Sequence, residues 1–139
     1  MRPPTQPLVL ATIVTVLVMA GACSDDAQPT TAPSTTPTTE TFASVLGYRG
    51  STAHGFTITN AGTISVTLTS VGPPSVPVGL GVGVAGSGIS CTLHTSLTTE
   101  AGPGPQIVVN VDPGTYCVQV YDVGTLTDPT SFSLTITRP

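Results

Sequence analysis

The side chains of this 139-residue chain that could do chemistry are few and far apart. Nucleophilic catalysis needs a hydroxyl or thiol beside a base that a third group orients. The only imidazoles are His54 and His94, and no Gly-x-Ser-x-Gly elbow accompanies the abundant Ser and Thr. A metal centre needs ligands clustered at set spacings. Neither HxxxH nor CxxC occurs, and the acids Glu100, Asp112, Asp122 and Asp128 are dispersed. Asp112 before Pro113-Gly114 and Asp128 before Pro129 read as turn residues whose carboxylates cap nearby amides. Asp122 and Asp128 flank one loop, so a weak calcium site there is the alternative reading. The expectation is a non-enzyme with no catalytic residue, no cofactor and no dedicated metal site.

Three cysteines carry the remaining chemistry. Residues 8–20 form a mostly apolar run behind Arg2, the length of a signal-peptide core and too short to span a bilayer. The run ends in Ala20-Gly21-Ala22-Cys23. Ala20 and Ala22 satisfy the small-x-small rule for cleavage, which would release a soluble secreted protein. The same residues resemble a bacterial lipobox, which implies a diacylated Cys23 as the mature N-terminus. Cysteine counting favours the lipid reading. An exported protein seldom leaves a thiol unpaired, and acylating Cys23 leaves Cys91 and Cys117 as a disulfide pair. Several acyl chains on one residue hold a protein at a membrane, each buried methylene adding ~0.8 kcal/mol. The expected address is the cell envelope, at the outer membrane where the cell has one, with the soluble secreted form as the alternative.

Charge narrows the partners. The chain has no Lys, and its only strong cations are Arg2, Arg49 and Arg138. Nucleic-acid binding needs rows of cations against phosphates, and none can be built here. The net charge of −4 is spread over scattered acids and makes no strong field.

Stepping along the chain, 1–22 reads as the signal peptide and 23–41 as a Thr/Pro-rich flexible tether. Residues 29–41 have no hydrophobic repeat, and their prolines hold them extended at ~3 Å per residue. Residues 42–139 form the folded domain. Here Phe56/Ile58, Ile64/Val66/Leu68, Val78/Leu80/Val82/Val84 and Ile89/Cys91/Leu93 alternate with small or polar residues. Ile107/Val109/Val111, Tyr116/Val118/Val120 and Phe132/Leu134/Ile136 do the same. Turn signals separate the runs, at Asn60-Ala61-Gly62, Pro73-Pro74 and Asp112-Pro113-Gly114. Period-two alternation at this spacing predicts an all-β antiparallel sandwich, jelly-roll-like, of about seven or eight short strands. One parity conflict arises: Cys91 falls in step with apolar Ile89 and Leu93, whereas Cys117 falls on the Thr115/Gln119 face. A bulge or a loop near Cys91 would reconcile them.

The segments Ala61-Gly62-Thr63-Ile64-Ser65-Val66-Thr67-Leu68, Pro113-Gly114-Thr115-Tyr116-Cys117-Val118-Gln119-Val120-Tyr121 and Phe132-Ser133-Leu134-Thr135-Ile136 resemble the bacterial pre-peptidase C-terminal domain. The resemblance implies a small β-sandwich that serves exported proteins as an adhesive or structural module.

Gly79, Gly81 and Gly83 leave one side of their strand bare. Strand glycines mark close approach of another backbone or of a ligand. The two readings are tight packing against a neighbour and a shallow groove for a glycan ring or an extended peptide. Tyr48, Tyr121 and Arg49 are the aromatic and guanidinium contacts expected beside such a groove. The sequence thus points to a non-catalytic binding or structural module of the cell envelope, with an envelope protein or a glycan as partner. The alternative is an accessory subunit that joins an exported enzyme or secretion complex through an unpaired strand edge.

Overall fold

The computed structural model describes residues 36–72 and 75–139. Arg2, the signal segment 1–22, the lipidation candidate Cys23 and the tether up to residue 35 lie outside the described residues, as do Pro73 and Pro74.

Eight strands follow one another: β1 (Thr38–Leu46), β2 (Ser51–Ile58), β3 (Gly62–Val71), β4 (Val78–Ala85), β5 (Cys91–Thr99), β6 (Ile107–Val111), β7 (Gly114–Tyr121) and β8 (Thr130–Arg138). They form two four-stranded sheets of order β1-β8-β3-β6 and β2-β7-β4-β5. All pairings are antiparallel. Apart from the β4–β5 hairpin, each strand is followed by one in the other sheet, which is the wiring of a jelly roll.

The expected alternation closes the core. Ile64, Val66 and Leu68 of β3 and Leu134 and Ile136 of β8 are fully buried, facing Val78 and Leu80 of β4 and Val118 and Val120 of β7. No polar or charged residue is buried among the described residues. The core is aliphatic, with Phe56 and Phe132 as its aromatic members. No helix among the described residues is long and apolar enough to cross a membrane.

The folded domain begins earlier than composition indicates. Thr38, Thr39, Glu40 and Thr41, assigned by sequence to the tether, pair with Arg138, Thr137, Ile136 and Thr135 of β8. A Thr-rich run looks like a spacer, but Thr also suits the wet face of an outer strand. Phe42 then packs against the core from the end of that run.

The parity conflict is resolved inside β5. Val82 pairs with Thr95, but the next residue, Gly83, pairs with Leu93, so His94 is the extra residue of a bulge. On one side of His94, Leu97 points inward and packs on the core. On the other side the phase is reversed: Leu93 and Cys91 lie on the outer face of the sheet, the face that Cys117 occupies. Ile89, expected to continue the strand, instead sits in the β4–β5 turn and is 93% exposed.

The bulge carries β5 across β4 at Gly83. A Cβ on Gly83 would collide with the backbone of Thr92, so glycine lets the two strands close on each other. With that approach made, Cys91 and Cys117 stand 5.8 Å apart at Cα, although β4 lies between their strands, and they are disulfide-bonded. Structural disulfides belong to oxidising, extracytoplasmic compartments, because cytosolic thiols are kept reduced.

Two stability outcomes follow. Replacing Cys91 and Cys117 together by Ser should lower unfolding free energy by about 3 kcal/mol, read from denaturant midpoints, as expected for a loop of 26-residue separation. Gly83→Ala should cost about 1–3 kcal/mol through overpacking against backbone. Gly79→Ala should cost less, because its obstacle is the Tyr121 ring, which can swing aside.

Candidate functional site

The two lateral sides of the sandwich differ. On the β1/β2 side, Phe42 stacks on His54 with ring centroids 4.6 Å apart and meets Phe132 edge-on at 5.7 Å. Glu40 lies 3.6 Å from the His54 imidazole and 3.4 Å from the Arg138 guanidinium. Arg138 also donates to the Thr57 carbonyl at 2.7 Å, so β8 of one sheet is tied to β2 of the other. His54 is therefore part of a polar seam that closes this side.

On the opposite side, no hydrogen bond or ion pair joins β5 to β6 among the described residues. The sheets part there into a cleft of about 400 Å³. Its floor is Val82 and Val84 of β4, Val109 and Val111 of β6, and Tyr116 of β7. Its rim is His94 and Thr95 at the β5 bulge, with Asn110 and Asp112 across from them. Val84, expected inside the core, is 40% exposed because it opens into this cleft. A shallower depression lined by Ala61 and Gly62 continues the trough and shares Asn110, Val111 and Asp112 with it.

Local pairing sets each group. Val109 and Val111 point inward by strand alternation, which sends Asn110 outward, where it accepts a hydrogen bond from the Thr63 hydroxyl at 2.9 Å. That bond uses the amide oxygen and leaves the amide N–H groups free to donate. Tyr116 stacks near Phe56 and donates its hydroxyl to the Asp112 carbonyl at 2.9 Å. Bulges re-aim side chains, and this one delivers His94 to the cleft.

The turn chemistry expected of Asp112 belongs instead to Asp122. Asp122 Oδ1 accepts from the amides of Gly124, Thr125 and Leu126, and Oδ2 from the Arg49 amide at 2.8 Å. Desolvation pushes this carboxyl upward, but the four amide donors outweigh it and hold it below the usual aspartate range. The Asp128 carboxylate accepts from the neighbouring Thr127 hydroxyl, and its carbonyl from the Thr130 hydroxyl. Among the described residues, no three His, Cys, Asp or Glu side chains gather to hold a metal ion.

The ligand surface expected from sequence is redistributed. Gly79, Gly81 and Gly83 are buried, and their bare side is already filled: the Tyr121 ring covers Gly79, Leu93 comes within 2.7 Å of a Cβ on Gly81, and Thr92 crosses Gly83. Of the two readings, the geometry is that of close packing, and β4 is an interior strand of its sheet. Tyr48 and Arg49 form an exposed pair, the guanidinium 5.1 Å from the ring centroid, in a turn where Arg49 has φ 54°. Asp122 fastens that turn beside Tyr121. These three residues thus gather at one end of β7, while the cleft lies toward the other end, at Tyr116. His94 and Asp112 were visible in the sequence as isolated groups. Only the parity break between Cys91 and Cys117 signalled the bulge that brings His94 to them.

No protein-family model matches the chain. No curated protein matches it either. A solved structure with a similar fold is that of the Yersinia pseudotuberculosis-derived mitogen, with a TM-score of 0.51, 11% identity, and coverage of 75% of this chain and 88% of that one. At that identity the likeness concerns the fold alone.

The Asp122 arrangement makes a pH prediction. A carboxyl held below its unfolded value stabilises the fold above about pH 4 and loses that contribution as pH falls through its folded value. Asp122→Asn should therefore melt earlier than the parent at pH 7. The gap in Tm should close as pH drops below about 4, measured by thermal scans across pH.

Proposed function

We propose that the chain is a non-catalytic binding module of the cell envelope, a pre-peptidase C-terminal-like jelly roll anchored through Cys23, with the open β5/β6 side as its binding face. The observation that carries this reading is the asymmetry of the sandwich. One lateral side is stitched by Phe42, Glu40, His54 and Arg138, and the other is left as a lined trough. A cleft of several hundred Å³ with an apolar floor and a few polar rim groups is the usual form of a ligand site. The disulfide supports export, and the lipobox-like Ala20-Gly21-Ala22-Cys23 supports anchoring at the membrane surface.

A second reading, an accessory subunit of an exported enzyme or secretion complex, draws on the strand edges. The outer edge of β5 runs for nine residues without a charged side chain or a proline. Uncharged, unprotected edges are templates for an added strand.

Expressing the full-length chain in a bacterial host that processes lipoproteins tests the anchor. The parent should sediment with membranes and partition into detergent, and Cys23→Ser should appear in the soluble exported fraction. Equal membrane association of both would remove the lipid anchor from the proposal. Cross-linking on intact cells separates the two functions: a single protein captured in fixed ratio favours the subunit, and envelope glycan without a dominant protein favours the module.

A further inference from the structure

We infer that the β5/β6 trough is a subsite for a neutral, hydroxyl-rich ring, one or more sugar units of an uncharged glycan. This rests on the reading of the open side as the binding face and names its ligand class. The inference comes from the inventory of unused polar groups. Asn110 borders the trough from β6, with its side chain turned outward, its oxygen on the Thr63 hydroxyl and its amide N–H groups without a partner among the described residues. The Tyr116 hydroxyl spends its proton on the Asp112 carbonyl and keeps its lone pairs. The side chains of His94, Thr95 and Asp112 make no hydrogen bond or ion pair within the described residues and stand at the rim.

Donors and acceptors therefore border an apolar floor of valines and one aromatic ring. A sugar ring presents the matching chemistry. Its C–H face lies on apolar surface, and each of its hydroxyls both donates and accepts. The carboxylate of Asp112 can accept two such hydroxyls, and bonds to an ionised acceptor are the stronger kind.

Charge decides against the competing small ligands. Phosphorylated, sulfated or carboxylated ligands are held best by a permanent cation, and those among the described residues are Arg49 and Arg138, neither of which lines the trough. Asp112 would repel an anion at the same rim. The continuation past Asn110 and Asp112 to Ala61 and Gly62 gives the trough a long axis, which fits a chain of rings better than a single compact molecule. An extended peptide would instead pair with the edge of β5 or β6 through backbone groups and leave most of these side chains without a role.

The experiment is a titration of the isotope-labelled, disulfide-bonded domain, followed by amide chemical shifts, with maltopentaose, cellopentaose and chitopentaose as neutral probes. Heparin serves as the anionic probe, and an uncharged Val/Thr-rich peptide as the strand probe. At least one neutral oligosaccharide should shift His94, Thr95, Asn110 and Val111 saturably, with Kd below about 1 mM. Asp112→Ala and His94→Ala should each weaken it tenfold or more with unchanged Tm. No saturable shift of those amides by any neutral saccharide overturns the inference, as does tighter binding of heparin. Peptide pairing along the edge of β5 or β6 without sugar binding overturns the ligand class and favours the accessory-subunit reading. Sugar binding that Tyr48→Ala abolishes and Asp112→Ala does not would move the site to the other end of β7 and overturn the trough.

Discussion

The crossing of β5 over Gly83 governs much of what is distinctive in this sandwich. A strand one residue longer than its partner must bulge, and the bulge at His94 reverses which side chains face the core. With the phase reversed, Cys91 reaches the outer face and meets Cys117 across the intervening strand. The approach is available because residue 83 carries no side chain. Bulge, glycine and disulfide therefore form one unit: the glycine permits the contact, the bulge aims it, and the covalent bond holds it. A domain this small has a limited aliphatic core, so such a cross-link is a useful share of its stability.

The same unit shapes the cleft. Thr95 and His94 sit at the bulge, so the geometry that serves the disulfide on the outer face also sets the rim on the lateral side. The opposite side has no such opening. There Glu40, Phe42, His54 and Arg138 join the sheets by stacking and charge, and half-burial strengthens these contacts relative to fully exposed pairs. A jelly roll has two lateral sides of equivalent wiring, and here chemistry makes them unlike.

How much of this was legible depends on the range of the signal. The inward residues Ile64, Val66, Leu68, Val118, Val120, Leu134 and Ile136 follow from alternation alone, because strand side chains have a fixed period of two. The glycines at 79, 81 and 83 announced a close approach, though not whether a ligand or the chain itself made it. Tyr121 reaches Gly79 from the distant strand β7, whereas Leu93 and Thr92 come from the other arm of the same hairpin once the bulge carries it across β4. The edge role of β1 was hidden, since Thr38–Thr41 is read locally as a spacer until β8 is there to pair with it. Asp122 took the capping role expected of Asp112 for a similar reason. Which carboxylate meets free amides depends on how the loop after β7 folds back, not on the proline beside it.

By itself the sequence determined the fold class and the inward face of most strands, and it pointed to the pairing of Cys91 with Cys117 and to an irregularity between them. These rest on local alternation and on counting, which need no knowledge of neighbours. Tertiary structure alone decided which strands lie at the edges, that the glycine strand is interior and covered, and that His94, Asn110, Asp112 and Tyr116 surround one cleft. Those facts are set by strand order across two sheets, which brings together residues far apart in the chain through backbone pairing that no local pattern specifies.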